Sequence, residues 1–318
     1  MPLNVAVQMD PIEGINIAGD STFALMLSAQ ARGHRLFHYL PSNLSYREGR
    51  VLTHARAVEV RPFPGDHFTL GEPRLLDLAQ ESDVVLMRQD PPFDLAYITA
   101  THLLERVHGK GTLVVNDPAS VRNAPEKLWV LDYARFMPPT LITRSLEETR
   151  AFQAEHGDVV VKPLHGNAGS AVFKIPAGGA NLASLVELFG QVWPEPFMVQ
   201  AFLPSVAQGD KRIVLVDGEV AGAINRVPGQ GEIRSNLAAG GTAHAADLTA
   251  REREICAALG PELARRGLLF VGIDVIGGEY LTEINVTSPT GIVAVDQFNN
   301  TDTPARIWDA IEAKVSAQ

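Results

Sequence analysis

Cysteine is almost absent. The 318 residues contain one, Cys256, so no disulfide forms within the chain. Cys256 sits in Glu254-Ile255-Cys256-Ala257-Ala258-Leu259, an apolar helical pattern. It reads as a buried structural thiol and not as a nucleophile. Long apolar runs are missing as well: no stretch approaches the roughly 20 apolar residues of a bilayer span. Met1-Pro2-Leu3-Asn4 has no basic n-region, and Val5-Ala6-Val7 is too short for a signal h-region. The expectation is a cytoplasmic protein with no membrane partner. Positive charge is scarce, with 27 Lys and Arg against 37 Asp and Glu, a net charge of -10. With no long basic run to offset it, this argues against a nucleic-acid partner. An acidic chain that binds an anion must gather its cations locally, so clustered Lys and Arg become informative.

What is present describes an ordinary globular protein. Hydrophobic residues are 46% and charged residues 20%, and the length suits two or three packed domains. Residues 3–9 read as a strand, 20–32 as a helix capped by Asp20-Ser21, and Arg35–Leu40 as a second strand. Asp83–Met87 and Thr112–Val115 are short β-branched runs, with helical spacing over Tyr97–Val107 between them. Strands alternating with helices argue for a Rossmann-like parallel sheet with covered faces. The first strand leads into Met9-Asp10-Pro11 and not into G-x-G-x-x-G, which removes the main support for a dinucleotide-dependent dehydrogenase. Pro118, Pro125 and Pro138-Pro139 mark a boundary near 120, which gives domains 1–120, 121–200 and 201–318. The second holds helix 145–155, strand Val159–Lys162, strand Ala171–Ile175 and helix 182–190. The third holds strands 211–216 and 219–225, a Gly-rich segment 227–243, helix 249–266, strands 268–276 and 280–286, and a last helix 304–315.

Phe270–Ile276 and Leu281–Val286 flank Gly277-Gly278 and read as a hairpin. With an even-length loop, Asp274 shares a face with Glu283 and Asn285, while Val271, Ile273, Val275, Ile284 and Val286 face the core. A two-residue loop makes Asp274 and Glu283 diagonal; a four-residue loop sets them opposite. Two carboxylates and an amide with no cation in either segment suit a hard divalent ion. A solvated polar face is the other reading. Lys162 ends an apolar strand, and the small loop His165–Ser170 offers backbone N–H groups to phosphate oxygens, although such turns are also common between ordinary strands. Lys211, Arg212, Arg226 and Arg234 supply the local cations. The 227–243 segment is long for a plain connection and has the glycines of a lid; a plain surface loop is the alternative. Met9-Asp10-Pro11 and Arg88-Gln89-Asp90-Pro91-Pro92-Phe93-Asp94 lie at the carboxyl ends of parallel strands, where α/β sheets bind ligands and where turn chemistry alone also places prolines.

Taken in order, these pieces resemble the ATP-grasp superfamily and, within it, the prokaryotic glutathione synthetase family, over about residues 3–315. The motifs are Met9-Asp10-Pro11 with Ile15-Asn16, Leu86-Met87-Arg88, Asp90–Asp94, Glu126-Lys127-Leu128, Lys162-Pro163-Leu164, Gly209-Asp210-Lys211-Arg212, Asn236–Gly241 and Glu283–Thr290. The resemblance implies an α/β fold: an N-terminal Rossmann-like domain followed by a two-lobed ATP-grasp module. It implies that Lys127 and Lys162 hold ATP phosphates, that Gln200, Ala201 and Leu203 in the hinge strand receive adenine, that Asp210 faces ribose, and that Lys211 joins the nucleotide site. Asp274, Glu283 and Asn285 would bind Mg²⁺, with Mn²⁺ the alternative ion. Arg212 would stabilise an acyl phosphate, with Arg226 and Arg234 at the peptide end or in the lid. The implied partners are γ-glutamylcysteine and glycine, and the resemblance suggests a homo-oligomer, a tetramer. The chain departs from the pattern at His165, at Ala168 in place of a loop glycine, and at Val293, where an arginine is usual. Val293 supports the alternative of a ligase for another dipeptide or amino acid. A nucleotide-binding scaffold that has lost catalysis is the reading from a different class.

Overall fold

The computed structural model describes residues 1–166 and 169–317. Asn167 and Ala168 of the expected phosphate loop lie outside the described residues. Three sheets follow one another along the chain. The first contains β1 (Asn4–Gln8), β2 (Arg35–Tyr39), β3 (Leu44–Arg47), β4 (Arg50–Val60), β5 (Phe68–Asp77), β6 (Val84–Met87) and β7 (Leu113–Val115). Its order is β3-β4-β2-β1-β6-β7, with β5 also paired to β4. β2, β1, β6 and β7 run parallel. Helices Ser21–Ala31 and Leu95–Leu104 cover it, capped by Asp20 and Asp94, whose side chains accept from Phe23 N and Tyr97 N.

The expected parallel sheet is there in β2-β1-β6-β7, and β3, β4 and β5 extend it as antiparallel additions. The residues explain it. Glu48 and Gly49 both take positive φ, 51° and 85°, between Arg47 and Arg50, which is the geometry of a tight two-residue hairpin turn. β4 then alternates partly between buried and exposed positions, as an antiparallel strand with one wet face does.

The second sheet is antiparallel: β8 (Thr140–Thr143), β9 (Val159–Pro163), β10 (Phe173–Ile175) and β11 (Phe197–Ala201), in the order β10-β9-β11-β8. Helix Leu182–Val192 packs Leu182, Leu185 and Phe189, one helical face, onto Val159, Val161, Phe197 and Val199. The third sheet is also antiparallel: β12 (Asp210–Val216), β13 (Glu219–Val227), β14 (Thr242–Ala245), β15 (Phe270–Ile276) and β16 (Tyr280–Asn285), in the order β14-β13-β12-β15-β16. One face of this sheet is apolar along its length and takes Ile255, Cys256, Leu259 and Leu263 of helix Ala250–Arg265. Burial raises the Cys256 thiol to about 12, as a structural thiol requires.

The other face divides. Val214, Val216 and Phe270 at one end pack with Trp308 and Ile311 of helix Thr303–Ser316 and with Val5 and Val7 of the first sheet. Further along the same strands and on the same face, Arg212 (two residues from Val214) and Asp274 (four from Phe270) face a cleft. Asn116, just past β7, joins the two sheets. Its Nδ2 donates to Phe270 O (2.7 Å) and Val286 O (2.8 Å), and its Oδ1 accepts from Phe270 N (2.8 Å). Asn116→Ala strands these buried groups, so urea unfolding is expected to show a loss of about 3 kcal/mol.

Candidate functional site

The cleft, of about 330 Å³, lies between the second and third sheets and is closed by loops of the first. Its floor depends on a bulge. The β15–β16 turn has three residues, Gly277 to Glu279, because Ile276 pairs with Tyr280 and Val275 with Leu281. Continued without change, that register sets Thr282 opposite Asp274 and turns Glu283 to the other face. The ladder shifts between Asp274 and Val275, so that Asp274 pairs with Glu283 and Gly272 with Asn285. Thr282 Oγ1 donates to Asp274 O (3.1 Å) across the irregularity. Asp274, Glu283 and Asn285 thus share the cleft face.

The expectation that no cation neutralises these carboxylates is corrected. Arg212 Nε and Nη2 donate to the two oxygens of Asp274 at 2.6 and 2.9 Å. Arg226 Nε donates to Asp210 Oδ1 at 2.6 Å, and its Nη2 lies 3.0 Å from Asp274 Oδ1. Register makes these pairs, since Asp210 is opposite Arg226 and Arg212 opposite Asp274. Burial alone would raise the Asp274 carboxyl; the two guanidiniums outweigh it and hold it well below the usual carboxylate range. Asp210 stays above that range, because burial and the neighbouring Asp274 outweigh Arg226. Gly272 leaves room for Arg212, since a Cβ there would stand 3.1 Å from its Cδ and Nη1.

Glu283 is matched from the second sheet's side. Lys127 Nζ is 3.5 Å and Lys162 Nζ 3.6 Å from its Oε1, and Lys127 also donates to Gly166 O at 2.6 Å. Burial would raise Glu283; the two ammoniums bring it below its ordinary value. Burial lowers Lys162, and Lys127 beside it adds to this. Among the described residues, no cluster of three His, Cys, Asp or Glu forms a ready metal cage. Glu283 and Asn285 still offer hard oxygens beside two lysine ammoniums, a donor set that fits a divalent ion shared with an anion.

Gln200, Ala201 and Leu203 line the cleft at the end of β11 and beyond it, and Gln200 Nε2 donates to Thr140 Oγ1 at 3.0 Å. Arg234 lines it from the 227–243 segment and binds Glu232 at 2.6 Å. That segment ends in a strand, β14, and not in a free loop. It covers the loop after β9: a Cβ on Gly169 would meet Asn236 Oδ1 at 2.7 Å and Arg234 Cδ at 3.1 Å. Lys211 is a correction. Alternation turns it to the far face of β12, where Nζ donates to Asp247 O and Glu252 Oε2, both at 2.7 Å. Val293 packs against the core in helix Ile292–Asn299. Expected to be a loop residue, His165 stacks against Phe93 with ring centroids 5.9 Å apart.

Sequence reasoning missed Glu126 and Asp90 as cleft-lining carboxylates, and the 287–291 loop as cleft wall. Glu126 adjoins Lys127 in a motif, which was signal enough to single it out. Arg88 Nη2 donates to Pro289 O (2.8 Å) and Ser288 Oγ to Arg88 O (3.2 Å), which bind that loop to the first sheet.

The chain compares with known proteins over its whole length. The model for "Prokaryotic glutathione synthetase, N-terminal domain" matches residues 3–122, and that for "Prokaryotic glutathione synthetase, ATP-grasp domain" matches residues 126–300. The chain belongs to the prokaryotic glutathione synthetase family. The glutathione synthetase of Rhodopseudomonas palustris is 62% identical over 314 residues, covering 99% of each chain. That of Agrobacterium fabrum is 58% identical over 315 residues, covering 99% of this chain and 98% of its own. Among solved structures, D-cycloserine synthetase DcsG superposes with a TM-score of 0.70 at 17% identity, over 98% of this chain and 100% of its own, a likeness of fold. The fold is ATP-grasp, and the chain is an ATP-dependent ligase.

Arg226→Met tests the charge network. It leaves Asp210 and Asp274 buried with one guanidinium, which is expected to reduce stability by about 3 kcal/mol. Asp210 is already raised, and losing Arg226 raises it further. A carboxyl raised in the folded state contributes its stability at low pH and loses it as pH rises. The deficit in urea unfolding is therefore expected to be larger near pH 7 than near pH 5.

Proposed function

We propose that the cleft joins glycine to the cysteinyl carboxylate of γ-glutamylcysteine, using ATP and a divalent ion, Mg²⁺ before Mn²⁺. One observation carries this reading: Lys127 and Lys162 converge on Glu283, directly opposite an Asp274 held by Arg212 and Arg226. A carboxylate is a poor electrophile. Its oxygen attacks the γ-phosphorus, the bond to ADP breaks, and an acyl phosphate forms. The amine nitrogen then bonds to the acyl carbon, and phosphate leaves with the C–O electron pair. The ammonium gives up two protons, one to phosphate and one to solvent.

Lys127 and Lys162 take the phosphates, and Gln200, Ala201 and Leu203 the adenine. Arg212, aimed by Asp274, meets the negative charge of the acyl phosphate. Asp210 lines the cleft, orients Arg226 through Oδ1 and faces the ribose. Arg234 travels with the 227–243 segment, which keeps water from an intermediate that water would destroy. Glu283 and Asn285, with Asp274 behind them, would hold the divalent ion; when bound it neutralises phosphate charge. The reading keeps three units, 1–120, 121–200 and 201–318, each built around one sheet. A cytoplasmic setting and a homo-oligomer complete the reading.

Phosphate release by purified protein is expected to require ATP, Mg²⁺, γ-glutamylcysteine and glycine together, with the tripeptide found by mass. Phosphate release with a different dipeptide instead favours the sister ligase. ATP binding without turnover on any pair overturns the ligase reading. Lys162→Met is expected to lower kcat/KM by about 100-fold or more. Lys211→Met, on the far face, removes the cation beside the fully buried Glu252 and is expected to reduce stability in urea unfolding by about 3 kcal/mol.

A further inference from the structure

Five carboxylates line the cleft among the described residues: Asp90, Glu126, Asp210, Asp274 and Glu283. Three are matched to cations. Asp210 pairs with Arg226, Asp274 with Arg212 and Arg226, and Glu283 with Lys127 and Lys162. Asp90 and Glu126 have no Lys, Arg or His nitrogen within 4.0 Å among the described residues. Asp90 is exposed at the mouth. Glu126 is half-buried in the cleft wall, and desolvation there raises its carboxyl above the ordinary value.

Glu126 is held in place. Its Oε1 accepts from Thr287 Oγ1 at 2.8 Å, and its backbone carbonyl accepts from Ile284 N at 3.3 Å, beside Glu283 on β16. Behind it lies a recess of about 10 Å³, lined by Phe93, His165, Gly166 and Thr287. That volume suits a single water, so the recess brings no protein cation to the carboxylate. A fixed, half-buried carboxylate without a cation repels phosphate and suits a positively charged group.

We propose that Glu126 receives the ammonium of the incoming amino acid and orients its nitrogen toward the acyl phosphate. This rests on the ligase reading above. The reactants offer two ammonium groups. The α-ammonium of the dipeptide, seven bonds from the reacting carboxyl carbon through the γ-glutamyl link, lies roughly 8–9 Å from it in an extended chain. Glu126 adjoins Lys127, at the phosphate end, where the reacting carboxylate and the attacking amine meet. The attacking amine is therefore the one that reaches it. No bond change is added to those already given; Glu126 contributes orientation and charge.

The test compares glycine with hydroxylamine, an amine uncharged at neutral pH, as acceptor in the full-length enzyme with ATP, Mg²⁺ and γ-glutamylcysteine saturating. For Glu126→Gln, kcat/KM for glycine is expected to fall by roughly 30-fold or more while that for hydroxylamine stays within about threefold, the difference made by losing a half-buried charge partner. Glu126→Asp, which keeps the charge, is expected to fall between the two. Equal loss with both amines overturns the proposal as a general structural effect. So does unchanged glycine kinetics, a rise confined to the dipeptide KM, which would mark the other ammonium, or a higher Mg²⁺ requirement, which would mark a metal ligand. Wild-type enzyme that makes no tripeptide removes the ligase reading itself, a failure visible before any variant is assayed.

Discussion

Four side chains in a row, Asp210, Arg226, Asp274 and Arg212, decide what the third sheet can do. Each sits on a strand directly opposite its partner, so the backbone ladder and the charge ladder are one object. Removing two carboxylates and two guanidiniums from water is expensive, and the attraction between them offsets this only with good geometry and satisfied hydrogen bonds. The Arg212–Asp274 and Arg226–Asp210 hydrogen bonds of 2.6 to 2.9 Å supply that geometry, while Arg226 Nη2, 3.0 Å from Asp274 Oδ1, adds charge without a hydrogen bond. The return is orientation. Arg212 is aimed by both oxygens of Asp274, with its Nη1 donating to Thr290 O at 3.2 Å, so its guanidinium is in place before any ligand arrives.

The same sheet face serves as core and as cleft. Val214 and Phe270 are buried against the C-terminal helix and the first sheet; Arg212 and Asp274, two and four residues away along the same strands, lie on the same face. The site is thus built on strands whose other ends are locked in apolar packing, and rigid elements place side chains more closely than loops do. Asn116 adds a polar lock at that junction, tying β15 and the end of β16 to the end of β7. A shift of the first sheet would be felt at Asp274 through only a few residues of strand.

Much of this was legible in the residues. Alternation in β15 and β16 separated Val271, Ile273 and Val275 from Asp274, because a strand's period of two makes faces readable. The capped helices and most strands near the cleft were read within a few residues. The bulge was not legible. Glycines at 277 and 278 mark a turn, but loop length and ladder shift together decide whether Glu283 or Thr282 stands opposite Asp274. Nor were the cations. Lys127 comes from a turn ahead of the second sheet, Lys162 from β9 and Arg226 from β13, and no local pattern shows that they converge. The inference of mutual repulsion looked only within the hairpin and so missed them. Lys211 was misplaced for a related reason: grouping it with Asp210 and Arg212 by adjacency ignored the alternation that puts neighbours on opposite faces.

Its true place ties the lid to the charge ladder. Lys211 Nζ holds Asp247 O and the fully buried Glu252, whose Oε2 also accepts from Thr249 N at 2.7 Å in a capping box. Thr249 Oγ1 in turn donates to Gly278 O at 3.0 Å, in the turn between Asp274 and Glu283. The chain leaving the 227–243 segment is therefore pinned to the back of the strand whose front carries Arg212, and to the hairpin that carries Glu283. A segment proposed to close over a cleft needs one end that stays fixed. Here that end is fixed to the same two elements that hold the reacting charges, so the position of Arg234 is measured from Arg212 and Glu283 and not from the distant surface.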